Sequence, residues 1–281
     1  MMNKVALFNQ VSYTASKVVT RKYSTSFSLG IYLLDRKFHD PIYGIYGFVR
    51  LADEIVDTFH DHDKATLLKK FEDDAYQAID DGISLNPILN AFQDTVNTYN
   101  IERSLIERFI RSMRMDLEQT LYSRESFEDY IIGSAEVVGL MCLRVFTKGQ
   151  PEMYDSLAPA AMRLGAAFQK INFLRDLQDD FEELGRAYFP SLDVLEFNNT
   201  DKRRIEEEIA ADFSAALEGI RRLPSGAKRG VFVAYVYYKK LFDKIKSTPA
   251  DKLLYERVRI PNGRKMTLMV DSLVRVGLNA F

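Results

Sequence analysis

The sequence predicts an all-α protein. Apolar side chains recur three and four residues apart through most of its 281 residues, and clean period-two alternation is scarce. Only eight prolines interrupt the chain, which leaves room for long helices. Hydrophobic residues make up 47% of it, enough for a sizeable core. The expected breaks, in order, are DPIYG (Asp40–Gly44), HDHDK (His60–Lys64), DDGISLNP (Asp80–Pro87), TKGQPEM (Thr147–Met153), PSLD (Pro190–Asp193), LPSGAKRG (Leu223–Gly230), KSTPAD (Lys246–Asp251) and IPNGRK (Ile260–Lys265). None is long enough to link two domains, and no fixed-period repeat appears. The expectation is one domain over residues 1–281, built of about ten helices.

Composition narrows the function. A formal net charge of −2 without a basic tail gives no field to hold nucleic acid. The single cysteine, Cys142, allows no internal disulfide, which fits a reducing compartment. The N-terminus MMNKVALFNQ lacks the apolar core of a signal peptide, and runs such as GVFVAYVYY from Gly230 are far short of a membrane span. A cytoplasmic protein is expected, with any membrane contact peripheral.

Two acidic segments carry the chemistry. A helix turns about 100° per residue, so Tyr46, Arg50, Asp53 and Asp57 fall within a stripe about 60° wide. Gly165, Gln169, Asn172, Asp176 and Asp180 fall within one about 80° wide. Each stripe ends in two aspartates one turn apart, on a helix that is otherwise apolar enough to be mostly buried. Buried carboxylates without cations are unfavourable. Two such pairs facing one cavity call for multivalent cations between them. Magnesium suits them: it takes carboxylate oxygens, keeps waters and fills its remaining positions with substrate phosphate oxygens. Arg50 and Arg175, beside the clusters, suit a polyphosphate. Taken singly, either pair reads more readily as a solvated helix face; two together on apolar helices favour the site.

With these residues in view, the chain resembles the squalene and phytoene synthases, head-to-head prenyl transferases of the all-α isoprenoid-synthase fold, most like a bacterial phytoene synthase. The resemblance runs from Tyr23 to Arg259 through YSTSF (Tyr23–Phe27), YGFVRLADEIVD (Tyr46–Asp57), YIIGSAEVVG (Tyr130–Gly139), LGAAFQKINFLRDLQDDFEELGRAYFP (Leu164–Pro190) and ERVRI (Glu256–Ile260). It implies a helical bundle around a central hydrophobic cavity, in which two isoprenyl diphosphates join through a cyclopropylcarbinyl diphosphate. It also implies roles. Asp53, Asp57, Asp176 and Asp180 would bind Mg2+, or Mn2+ in its place, with Asp179 as a supplement. Arg50, Arg175 and Arg186 would face diphosphate or aspartate. Ser24, Ser26 and Phe27 would border a diphosphate. Tyr46, Gln169, Asn172 and Tyr188 would line the polar end of the tunnel, and Tyr130, Val138 and Gly139 its wall.

The resemblance further implies prenyl diphosphate substrates and, in this chain, no need for NADPH, since no dinucleotide-binding glycine pattern and no C-terminal anchor are present. Two geranylgeranyl diphosphates giving phytoene is the leading expectation. In relatives that join the shorter farnesyl chain, bulky aromatics close the tunnel at the positions of Ile31 and Tyr43; an isoleucine at the first leaves room. The alternatives are a farnesyl diphosphate-using dehydrosqualene or squalene synthase, a catalytically inactive assembly relative, and a head-to-tail prenyl transferase. The four retained aspartates argue against inactivity, and the absence of paired arginines after the first motif argues against the last.

Three departures stand out. Glu54 replaces the usual second Asp. Glu136 stands where relatives carry Gly, and is expected to find a cation on a neighbouring helix or else to burden the tunnel. Tyr255, two residues before Arg257, is nearer to it than in relatives. Elsewhere, HDHD (His60–Asp63) reads as a polar connection, Cys142 as a small buried hydrophobe, Thr200 or Asp201 as a helix cap, YVYYKK from Tyr235 as core or tunnel wall, and Asp116 as either a brace for the site or a surface residue.

Overall fold

A computed structural model describes residues 4–190, 197–255 and 257–260. Among them are thirteen α-helices and a one-turn π-helix, more than the ten expected. They are α1 (Lys4–Tyr23), α2 (Thr25–Tyr32), α3 (Arg36–Asp57), α4 (Lys64–Asp81), α5 (Pro87–Tyr99), α6 (Arg103–Glu118), α7 (Arg124–Ile131), the π-turn (Ile132–Glu136), α8 (Val137–Phe146), α9 (Pro151–Arg175), α10 (Leu177–Leu184), α11 (Asn199–Arg222), α12 (Ser225–Lys246) and α13 (Ala250–Leu253). No strand occurs among the described residues, only an isolated bridge between Leu121 and Ala187.

The extra elements come from breaks that carry weak local signals. Ser24 separates α1 from α2 by capping the latter, its side chain accepting from the Phe27 amide at 3.2 Å. One expected break is absent. DPIYG lies inside α3, which tolerates Pro41 because its apolar stripe (Phe38, Ile42, Ile45, Phe48, Ala52) is buried and outweighs one missing hydrogen bond. Gly44 of that expected break is a close-approach position, and so is Gly47 one turn on. A Cβ on Gly44 would lie 2.9 Å from the Ala91 carbonyl oxygen of α5, and one on Gly47 2.8 Å from Ser16 Oγ of α1.

The second acidic stripe is not one helix. It bends at Asp176, the shared boundary of α9 and α10, with φ −105° and ψ 11°. Of the other expected breaks, HDHDK, DDGISLNP, TKGQPEM and KSTPAD coincide with helix ends, and LPSGAKRG narrows to Leu223–Pro224. Within PSLD and IPNGRK, residues 191–193 and 261–265 lie outside the described residues. The cap of α11 is Asn198 rather than Thr200 or Asp201, since its side chain accepts from both of their amides.

Two apolar clusters meet around a central cavity. One joins α3, α5, α6 and α8, with Phe48 stacked on Phe92 at 3.8 Å. The other joins α9, α11 and α12 through residues such as Phe213 and Phe242.

Candidate active site

The cavity has a volume of about 920 Å³ and a polar end. Helix α9 gives its length, because wall residues recur along one face from Arg175 back through Gln169 and Ala161 to Leu157. At 1.5 Å per residue, Gln169 and Leu157 are about 18 Å apart along the axis. The first half of that span is polar or aromatic. The rest is aliphatic and ends in small side chains (Ala160, Ala216, Gly219) beside Leu157 and Ile220.

At the polar end, α3 presents Tyr46, Arg50 and Asp53 to the cavity. Arg50 pairs with Glu54 and stands over the Tyr23 ring, 4.4 Å from its centroid; its Nε is buried without a partner. Glu54 thus keeps the charge of the Asp it replaces and spends it on Arg50, which helps hold its carboxyl below the usual range against the effect of burial. Asp53 has no cation in hydrogen-bonding contact. Burial, then the Asp57 charge, pushes its carboxyl up to about 8. Burial and Asp53 push the Tyr46 hydroxyl up to about 12. Ser24, Ser26 and Phe27 rim the same end, and Phe27 lies 5.6 Å from the Tyr46 ring.

The second acidic segment enters from α9 and α10. Gln169, Asn172 and Arg175 line the cavity, whereas Asp176 and Asp180 stand behind that lining. Arg175 Nε donates to Asp176 Oδ1 at 2.9 Å. Arg257 Nε approaches Asp176 Oδ1 at 2.8 Å, and its Nη1 approaches Asp179 Oδ2 at 3.1 Å. Asp180 is the counterpart of Asp53: burial, Asp176 and Asp57 push its carboxyl up to about 8. Arg186 links the two acidic segments, its amide donating to the Asp180 carbonyl at 2.9 Å and its Nη1 to Asp57 Oδ1 of α3 at 2.8 Å.

Arg186 and Tyr188 do not reach the cavity wall. Both are buried one layer back, where they belong to a network around Asp116. Asp116 Oδ2 accepts from the Tyr130 hydroxyl at 2.7 Å, and Oδ1 accepts from Tyr188 at 3.0 Å and Tyr122 at 3.3 Å. Arg186 Nη1 lies 3.6 Å from Asp116 and donates to Asp57 at 2.8 Å. Burial pushes the Asp116 carboxyl up to about 6, although Arg186 and the tyrosines oppose it. Asp116 is therefore a buried brace, not a surface residue, and Tyr130 connects it to the cavity wall.

Val138 and Gly139 line the wall on α8, beside Cys142, whose thiol burial pushes up to about 12. Ile31 lies on the wall as well. Tyr43 does not; it is buried beneath Lys17 of α1, 5.8 Å from its ring centroid. Glu136 is buried and is not among the residues of the cavity wall; the cations of the neighbouring helix, Arg163 and Lys170, are paired with Asp212. Burial raises the Glu136 carboxyl above the usual range. The HDHD segment is an ordinary connection in which Asp63 caps α4.

Two further residues stand at the polar end, the first within the YVYYKK run expected as core or tunnel wall. Tyr238 stacks on Phe168 at 3.9 Å and donates to Asn172 Oδ1 at 3.3 Å; its only signal was the aromatic run YVYY. Arg257 was visible in ERVRI but was not placed with the aspartates. Tyr255, two residues before it, is 73% exposed and is not on the cavity wall.

Among the described residues no three His, Cys, Asp or Glu side chains converge closely enough to hold a metal ion. The carboxylates instead stand in two groups, partly held by arginines.

An all-α shell with two acidic segments at the polar end of a deep apolar cavity is the arrangement of a prenyltransferase. The comparisons agree. The squalene/phytoene synthase family model matches residues 20–264, and the chain belongs to that family. It is 28% identical to a phytoene synthase of Arthrospira platensis, over 91% of this chain and 90% of the relative. It is 26% identical to a 15-cis-phytoene synthase of Synechococcus elongatus, over 94% and 93%. In fold it is similar to a crystal structure of a dehydrosqualene synthase in complex with a ligand, with a TM-score of 0.82 at 19% identity, covering 96% of this chain and 98% of that one. A squalene synthase from Alicyclobacillus acidocaldarius gives a TM-score of 0.74 at 22% identity, covering 85% and 94%.

Proposed function

We propose that the protein joins two geranylgeranyl diphosphates head to head, through a cyclopropylcarbinyl diphosphate, to give phytoene. The depth of the cavity carries this reading. An extended chain advances roughly 1.2 Å per bond, so a twenty-carbon prenyl chain spans about 18 Å and a fifteen-carbon one about 13 Å. The first matches the distance from Gln169 to Leu157. Similarity to phytoene synthases along nine-tenths of the chain supports the same choice.

Because no three carboxylates converge among the described residues, a divalent cation here would rest on one or two of them and on diphosphate oxygens. Burial and neighbouring carboxylates push the Asp53 and Asp180 carboxyls up, outweighing the nearby arginines. A cation between the segments would relieve that repulsion. Asp53, Asp57, Asp176 and Asp180 would hold Mg2+, which supplies charge against a departing diphosphate. Arg50, Arg175 and Arg257 surround the same end and would bind the diphosphate oxygens. Ser24 and Ser26 border it. The Asp116–Arg186 pair orients Asp57 from behind. Once the allylic cation has formed, the rings of Phe27, Tyr46, Phe168 and Tyr238 offer π-faces to it, and the aliphatic half of the cavity keeps water away.

Purified protein incubated with Mg2+ and either geranylgeranyl or farnesyl diphosphate tests the reading by the hydrocarbon formed. Phytoene is expected. Dehydrosqualene or squalene as the main product of a competition would replace this assignment with the shorter-chain one.

A further inference from the structure

Helix α1 is inverted relative to a helix that packs on a core. Its inward face, against α3 and α5, is made of Ser12, Ser16 and Thr20, all fully buried. Ser12 Oγ accepts from Asn90 Nδ2 at 3.1 Å and Thr20 Oγ1 donates to the Ser16 carbonyl at 2.8 Å, while Ser16 Oγ has no partner. The outward face carries an apolar stripe, with Thr14 the exposed polar residue within it. Leu7, Val11 and Val18 are 49%, 53% and 53% exposed, and at 100° per residue they fall within about 40° of one another.

The charges on this helix have one sign. Lys4, Lys17, Arg21 and Lys22 are basic and no acidic residue occurs, in a chain whose net charge is −2. Lys4 and Lys22 lie about 40° from the centre of the apolar stripe and Arg21 about 60° on its other side; all three are exposed. An exposed apolar stripe between basic residues is the pattern of a helix that lies in a lipid headgroup layer. A second copy of the same face is a poor partner, because a two-fold contact would set these cations against each other. The helix also ends at the cavity: Tyr23, Ser24 and Thr25 rim its polar end.

We propose that the outer face of α1 is a docking surface for an anionic phospholipid bilayer. Leu7, Val11 and Val18 enter the boundary of the acyl chains, and Lys4, Arg21 and Lys22 meet lipid phosphates. This brings the cavity rim to the surface where long prenyl chains and their hydrocarbon product partition. That purpose rests on the prenyl-transfer reading, but the docking itself does not, and it is measured without substrate.

The test is co-sedimentation of the full chain with phosphatidylglycerol-containing vesicles and with pure phosphatidylcholine vesicles. Three proteins are compared: wild type, Leu7→Ser/Val11→Ser/Val18→Ser, and Lys4→Gln/Arg21→Gln/Lys22→Gln. Wild type should bind the anionic vesicles and release them as salt rises. The serine variant should lose roughly tenfold or more in partitioning, and the glutamine variant roughly fivefold per charge removed. Circular dichroism and turnover in detergent should match wild type, since the changes lie on the solvent face. Equal sedimentation of all three proteins, or no binding by wild type, would overturn the proposal. So would light scattering that shows a wild-type dimer dissolved by the serine substitutions, which would make a second copy the occupant.

Discussion

Replacing Ala161 by Phe should convert a twenty-carbon site into a fifteen-carbon one. Ala161 lies on the cavity wall four residues from Leu157, or about 6 Å along α9. Helical side chains lean towards the N-terminus of their helix, so a phenylalanine there would fill the space above Leu157. The depth left from Gln169 would be about 12 Å, close to a fifteen-carbon chain and about one isoprene unit short of a twenty-carbon one. Burying the five carbons of that unit at about 0.8 kcal/mol each gives an upper limit of about 4 kcal/mol, and imperfect contact lowers it to about 2–3 kcal/mol. At about 1.4 kcal/mol per factor of ten, the ratio of kcat/KM for geranylgeranyl over farnesyl diphosphate should fall roughly 30- to 150-fold. The assay is a competition between the two substrates with magnesium, scored by product chain length. A variant that folds, turns over and keeps the wild-type ratio would refute the placement of the cavity floor at Leu157. Ile31→Phe should push in the same direction from α2, since Ile31 also lies on the wall.

Asp53→Asn and Asp176→Asn should each lower turnover by roughly 10²–10³-fold, because each removes a full negative charge from the proposed cation site; near wild-type rates at limiting magnesium would contradict that site. Glu136→Gln should stabilise the protein at alkaline pH. The Glu136 carboxyl is raised by burial, so its favourable contribution is complete below the unfolded pKa and is lost as pH rises through the folded one. Melting curves should show a higher Tm for the variant at pH 8 than wild type and a shrinking gap towards pH 4; a constant gap would point to packing instead. Adding NADPH to the wild-type reaction should leave the hydrocarbon unchanged, and a reduced product detected by mass spectrometry would show a second chemical step.

Much of the site was legible because helices convert spacing into geometry. Tyr46, Arg50 and Asp53 line one cavity, as steps of four and three require on an unbroken α3. The same rule was less complete for the second segment. Asp176 ends α9, and two arginines, one of them 81 positions further on, hold its carboxylate. Periodicity within a segment carries no information about a partner so distant. DPIYG failed as a break for a related reason: local turn preference favours a break by about 3 kcal/mol at Pro41, whereas the buried stripe of α3 offsets more than that.

The sequence by itself determined the helical class, the two acidic stripes and the motifs that identify the family, since each depends on residues near one another along the chain. Only the tertiary structure decided that Glu136 lies off the cavity wall, that Arg186 and Tyr188 lie behind the wall around Asp116, that Tyr43 turns towards α1, and that α1 keeps Leu7, Val11 and Val18 outside. Those outcomes depend on which helix faces which. That choice is settled by fitting volumes and satisfying buried polar groups across the whole molecule, and one helix alone cannot express it.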